Sequence, residues 1–500
     1  MRSKFFRVAI GLALIGAFFL QGCQRGSDLV KFNEATKQAV FETISAQMKS
    51  VGVTVVVPPM EEATATNTPG KPTEPPTQPP SSARSSTPSP APTPSSTPVP
   101  IPPTQKATAA ATASPPGPHK PSVVVIWHSY PPQMENVLNK AVDAYMKDHP
   151  ESRIQVVKQP DIQEAISNLT DATGYPDIIA FTSNNVGSLA ESGTIIPLNQ
   201  LIHKLGLPFK NEFEPLALKS VSYQGFVWAV PHSLGGLAWV RNTDLAKTVP
   251  TNIDDFLKQR AEFEKEHPGD IYFLYPGRDN PYFNAPWFYG EGGFYITDNY
   301  KVGIDTPGGI KGMQLVRKIA MSIPKRQISV PPEELFSTGK LAWIMTEGQI
   351  LDQMKEVVPI DLPRWPVLED GKRAKPLVTA WCFGIYSGSA FQPQAVRVAD
   401  DLAVKYIPEA MKGQVGFAPA SIKFNNSLVS KEPSSLLAKR IIQIRDGAPF
   451  PNTPAMDILW NPLANMWQAV LSGAPIEDAA KQTQKLIEDS IKAVWGAGSQ

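Results

Sequence analysis

From residue 123 onward the apolar positions follow two alternating rhythms. Val123 to Trp127 is a short continuous apolar run, the pattern of a buried strand. Between 133 and 147, Val137, Ala141 and Tyr145 fall at helical spacing. Residues 153–158, with Ile154, Val156 and Val157, predict a second strand. Asp161 is placed to cap a helix running to Leu169. Pro176-Asp177-Ile178-Ile179-Ala180-Phe181 predicts a third strand, and 184–191 a short helix closed at Gly193. A β-α-β-α-β-α order implies an α/β fold with a parallel sheet covered by helices. Ligands bind such sheets at the carboxyl ends of the strands. Those ends are His128-Ser129-Tyr130 and Thr182-Ser183-Asn184-Asn185.

A second organising stretch runs from Tyr223 to Leu245. Phe226 to Val230 reads as a strand that Pro231 terminates by removing a ladder donor. Gly235-Gly236 then lets the backbone bend, and Leu237 to Val240 begins a second strand ended by Asn242-Thr243-Asp244. Two strands separated by a flexible break are either consecutive strands of one sheet or a crossing between two lobes. Near the end, Ile476, Ala479, Ala480, Thr483, Leu486, Ile487 and Ile491 form an apolar helical stripe.

The chain before residue 122 has a different texture. Arg2, Lys4 and Arg7 precede an apolar run from Val8 to Leu20, then Gln21-Gly22-Cys23. The run is about 13 residues, short of the ~20 that span a bilayer, and reads as an export signal. Leu29, Phe32, Thr36, Val40, Ile44 and Met48 predict an amphipathic helix within 28–49, with 51–57 extended. Residues 58–121 are Pro, Thr, Ser and Ala with few aliphatics and cannot bury a core. As a tether they reach roughly 50 Å as a coil and roughly 200 Å as polyproline II.

The 500 residues exceed what one core usually serves. The net charge of +1 gives no basic surplus for nucleic acid. The two cysteines, Cys23 and Cys382, do not suggest an internal disulfide, and Cys382 reads as a small core residue. The six histidines show no paired metal spacing, and no phosphate-loop or nucleophile-elbow motif is present, so neither a metal nor a cofactor is expected.

Several motifs carry a resemblance. Leu20-Gln21-Gly22-Cys23 resembles the bacterial lipobox, which implies cleavage before Cys23 and an acylated new N-terminus. From Ser122 the chain resembles bacterial extracellular solute-binding proteins of the maltose-binding type. The matching elements, in order, are Val125-Ile126-Trp127, Tyr175-Pro176-Asp177-Ile178-Ile179, Glu191-Ser192-Gly193 with Ile196-Pro197-Leu198, and Gly225 through Val230-Pro231 to Leu245. They continue with Phe336-Ser337-Thr338-Gly339-Lys340-Leu341-Ala342-Trp343 with Gly348, Thr379-Ala380-Trp381 with Gly384-Ile385, and Pro449 to Trp460. The resemblance implies a two-lobe periplasmic-binding-protein fold with hinge crossings. Its domains would be a signal peptide (1–22), a membrane-proximal segment (23–57), a disordered linker (58–121) and a solute-binding domain (122–500). One lobe would hold about 122–233 and 382–433, the other about 237–378 and 434–500.

The resemblance also implies the site. Trp381 and Trp460 fall on ligand-stacking positions, with Tyr130, Phe181 and Tyr282 as further aromatic candidates. Asn184 and Asn185 stand where some sugar binders place a charged pair; Glu347 beside Gly348 is a cleft candidate, and Gly235 occupies the position of a ligand-binding glutamate. Asp177 is expected to brace loop backbone, and His232 to be a satisfied structural histidine. Pro131-Pro132 replaces an acid and a lysine of maltose binders, Ala464 a ligand-binding arginine, and Gln349-Ile350 follows Gly348 where a tryptophan is common. Maltodextrin itself is therefore in doubt. The implied role is a lipid-anchored, extracytoplasmic monomer that captures a small solute, carbohydrate being the expected class, for an ABC transporter permease. Two readings stay open beside it: a lipid-anchored glycoside hydrolase, since any two acids could meet in space, and a degenerate binding protein acting as sensor or scaffold.

Overall fold

The computed structural model describes residues 123–169, 174–276, 279–323 and 330–496. The export signal, Cys23, the 28–49 helix and the linker lie outside the described residues. The first strands are β1 (Val123–His128), β2 (Arg153–Lys158) and β3 (Ile178–Thr182). β1 pairs in parallel with both β2 and β3. Helix α1 (Pro132–Asp148) packs Val137, Ala141 and Tyr145 inward, as its spacing requires. Asp161 accepts a hydrogen bond from the Glu164 amide and starts the short helix Ile162–Ser167.

Beyond β3 the sheet becomes mixed. The order across it is β2-β1-β3-β7-β4-β6-β5, where β4 is Ala229–Asn242, β5 Ile271–Phe273, β6 Leu341–Glu347 and β7 Leu377–Ile385. β7 runs antiparallel to β3 and β4, and β6 antiparallel to β4.

The expected break in the crossing stretch is absent. β4 is one strand of 14 residues. Pro231 sits within it opposite Cys382, at a register shift between Trp381 and Cys382 that absorbs the missing donor. Gly235 and Gly236 are extended, not turned, and they are glycine because of close approach. A Cβ on Gly236 would overlap the Leu377 carbonyl, and one on Gly235 would sit 2.9 Å from the Phe417 ring. Residues up to Gly236 pair with β7; from Leu237 the same strand pairs with β6.

Alternation along β4 divides the core. Ala238 and Val240 join one hydrophobic cluster with β1, β3 and α1, while Leu237 and Trp239 join a second. Trp239 is ringed there by Phe256, Phe273, Trp287, Trp343 and Trp365, at centroid distances of 5.1 to 6.0 Å. Fully burying each such ring stabilises the fold by roughly 1.5–3 kcal/mol. Three later helices complete the body: α2 (Leu436–Arg445), α3 (Met456–Leu471) and α4 (Ile476–Trp495). The predicted stripe on α4 is buried except Leu486, which is exposed because it lies one residue off the inward face. Among the described residues no helix is long and apolar enough to cross a membrane.

Candidate functional site

The point where β4 changes partner gathers most of the candidate side chains. Trp381, on β7, is opposite Ser233 of β4 and Thr182 of β3. It is partly buried. Its ring meets Tyr130 edge-on at 4.9 Å and Phe417 at 5.4 Å. Gly235 lets these rings press against β4: a Cβ there would lie 3.4 Å from Trp381 Nε1.

Tyr130 lies just past the carboxyl end of β1. It is buried beneath Trp381, with its hydroxyl 2.8 Å from His232 Nε2 and 3.2 Å from the Cys382 carbonyl oxygen. His232 Nδ1 is 2.9 Å from Ser233 Oγ. Burial pushes the His232 imidazole down to about 3, so it is neutral here and serves as a structural partner. Asp177 braces backbone, accepting from the Val125 amide at 3.0 Å and from Ser389 Oγ at 2.6 Å.

Asn184 and Asn185 lie in the turn that follows β3. The preceding Ser183 ties that turn to β7, its hydroxyl accepting from the Ala380 amide at 3.0 Å. Asn185 stands at the N-cap of the helix that follows without a side-chain cap bond, and Asn184 is exposed. Phe181 does not join the group. It is opposite Cys382 whereas Thr182 is opposite Trp381, so strand alternation turns Phe181 to the other face of the sheet. It is buried in the first core cluster, against Ile195 and the face of Gly384.

A second aromatic group stands beyond the switch. Trp460 on α3 packs tilted on Phe450 at 5.9 Å, and Phe450 lies 6.4 Å from Tyr282. Phe450 is held beside β7 by its amide, which donates to the Val378 carbonyl at 2.8 Å. Asn280 caps the Pro281–Gly290 helix and so fixes Tyr282, accepting from its amide at 2.9 Å. Glu347 ends β6 opposite Leu237 and is partly buried. Burial pushes its carboxyl up to about 7, the Arg440 charge opposing and Glu333 adding.

Phe417 and Phe450 escaped the sequence reading. Phe450 falls in the Pro449–Trp460 segment already singled out, whereas Phe417 carries no local signal. The arrangement places an aromatic group on each side of the switch, with Asn184 and Asn185 in the turn after β3 and Glu347 at the end of β6. Among the described residues no cluster of three or more acids, histidines or cysteines is placed to hold a metal.

Residues 140–398 match the model of a family described as bacterial extracellular solute-binding protein. The chain is 23% identical over 388 residues to a maltotriose-binding protein of Pyrococcus abyssi, covering 75% of this chain and 83% of the relative. It is 22% identical over 401 residues to a galactooligosaccharide-binding protein of Bacillus subtilis, covering 75% and 90%. The crystal structure of a cyclo/maltodextrin-binding protein complexed with maltotetraose superposes with a TM-score of 0.64 at 20% identity, covering 76% of this chain and 99% of that one. At that identity the likeness shows a shared fold.

Proposed function

The chain belongs to the bacterial extracellular solute-binding protein family, and on that premise we propose that it captures a carbohydrate between two lobes for an ABC importer. The observation that carries this reading is the pair of aromatic groups flanking the strand switch, Trp381 with Tyr130 and Phe417, and Trp460 with Phe450 and Tyr282. A pyranose has an apolar C–H face that a ring can cover and a rim of hydroxyls that amides and carboxylates can bind. One covered face removes about 50 Å² from water, worth roughly 1 kcal/mol. Micromolar capture needs about −8 kcal/mol. Asn184, Asn185 and Glu347 would supply the polar contacts that set selectivity.

The lobes would be about 122–233 with 382–433 and about 237–378 with 434–500, a division supported by the partner change of β4 between Gly236 and Leu237. Relatives named for maltotriose and galactooligosaccharide support an oligosaccharide ligand. A relative named as a solute-binding lipoprotein supports anchoring through Cys23. Bound sugar would be released unchanged.

A thermal-shift screen against a sugar library that includes maltotriose and galactooligosaccharides tests the reading. At least one sugar should raise the melting temperature and be recovered intact. No shift with any sugar would overturn the proposal, and cleavage of the sugar would favour the hydrolase. Labelled fatty acid should appear on the wild type and not on Cys23→Ala; equal labelling would remove the anchor.

A further inference from the structure

Helix α2 carries a charge on its apolar face. Leu437, Ile441 and Ile444 point into the core at helical spacing, and Arg440 lies among them, fully buried. A buried guanidinium must find acceptors. Arg440 finds them on the crossing strand: Nη2 donates to the Gly236 carbonyl at 2.5 Å and Nη1 to the Leu237 carbonyl at 3.0 Å. Those carbonyls bracket the switch, for Gly236 is the last residue of β4 paired with β7 and Leu237 the first paired with β6. Gln443, one turn on, donates to the Trp239 carbonyl at 2.7 Å and the Pro363 carbonyl at 2.6 Å.

The charge itself is uncompensated at contact range: no ion pair to Arg440 forms among the described residues, and its Nε has no partner. Its charge acts on Glu347, which pairs with Leu237 across β6 and β4, and on the Tyr282 phenol. Gly348 makes this approach possible, since its Cβ position lies 2.5 Å from Arg440 Nη2. Glu347 is thus faced by Arg440 from α2, Tyr282 from the Pro281–Gly290 helix, and Glu333 from the Pro332–Ser337 helix.

We infer that Arg440 is a positioning residue for solute capture: it locks the strand switch between the lobes and sets its guanidinium against the end of β6 that carries Glu347, whose carboxylate accepts hydrogen bonds from the hydroxyls of a bound sugar. The ligand half of this inference rests on the carbohydrate reading above; the electrostatic half does not. With Arg440 present the Glu347 carboxyl titrates near neutrality. Without the charge it should hold its proton to higher pH.

Carbon-13 NMR titration of the Glu347 carboxyl, assigned with Glu347→Gln, tests this in the ligand-free full chain. In Arg440→Met the midpoint should rise by about one pH unit or more, a tenfold gain in proton affinity. An unmoved midpoint in folded Arg440→Met would overturn the inference. Arg440→Lys keeps the charge but cannot span both carbonyls, so the midpoint should stay near the wild-type value while amide exchange across 236–239 rises about tenfold. Unchanged exchange there would remove the lock. Calorimetry with maltotriose should show tighter binding at pH 8 than at pH 6, a difference lost in Glu347→Gln; equal affinity at both pH values would overturn the ligand-facing role. If neither maltotriose nor a galactooligosaccharide binds at any pH, the carbohydrate reading fails while the titration still decides the coupling.

Discussion

The indole of Trp381 meets the phenol of Tyr130 edge to face, with centroids 4.9 Å apart and planes at 74°. Tyr130 in turn is pinned from below by His232 and the Cys382 carbonyl. The partly exposed Trp381 ring therefore rests on a buried polar post, and its tilt is fixed by residues from three separate parts of the chain.

Removing either platform should weaken capture without unfolding the protein. Trp381→Ala and Trp460→Ala should each lower affinity for the sugar found in the screen about five- to tenfold, near 1 kcal/mol. Calorimetry alongside circular dichroism checks this. Unaltered affinity in both variants would remove the site from this part of the fold.

Tyr130→Phe keeps the edge-on ring and deletes the hydroxyl. It leaves a buried His232 nitrogen facing no partner, which should cost about 1–3 kcal/mol. Urea unfolding at constant pH measures it; a change below about 0.5 kcal/mol would mean that the bond contributes nothing net.

The adjacent glycines should respond unequally. Gly236→Ala drives a methyl into the Leu377 backbone carbonyl, which cannot move without parting β4 from β7. Gly235→Ala meets the Phe417 ring, a side chain able to rotate. Overpacking costs typically about 1–3 kcal/mol, and Gly236→Ala should stand at the upper end. Gly235→Ala should instead disturb the Trp381 platform and show mainly in ligand affinity. Equal stability losses would contradict this division.

Asp400 gives a pH dependence with a definite sign. Burial pushes its carboxyl up to about 7, with Glu212 and then Asp401 adding to the rise, and one oxygen has no hydrogen-bond partner. Between its ordinary value near 4 and about 7 the folded state binds more protons than the unfolded one, so stability falls as pH rises across that window. Asp400→Asn removes the ionisable group. Relative to wild type it should be more stabilising at pH 8 than at pH 5, by about 1.4 kcal/mol for each pH unit of that window crossed. Denaturant titrations at the two pH values check it, and a pH-independent difference would refute the assignment.

Much of the α/β framework was legible because its signals are local. Val123–Trp127, the 133–147 helix and the Pro176–Phe181 strand declare themselves through spacing that survives any tertiary context. The family resemblance ordered these pieces into a binding-protein fold. The crossing stretch was misread for a physical reason: proline and paired glycines usually interrupt strands, but here a register shift tolerates Pro231 and a neighbouring carbonyl demands Gly236. Phe181 and Tyr130 show the same limit, since strand parity turned one away from Trp381 and burial placed the other under it.

The sequence alone determined where strands and helices form and that an apolar core must divide along them, because periodicity is written residue by residue. Only the tertiary structure decided which faces meet. It brought Arg440 to the carbonyls of Gly236 and Leu237 across some two hundred residues, since pairing between distant segments depends on the complementarity of packed surfaces, which no local pattern encodes.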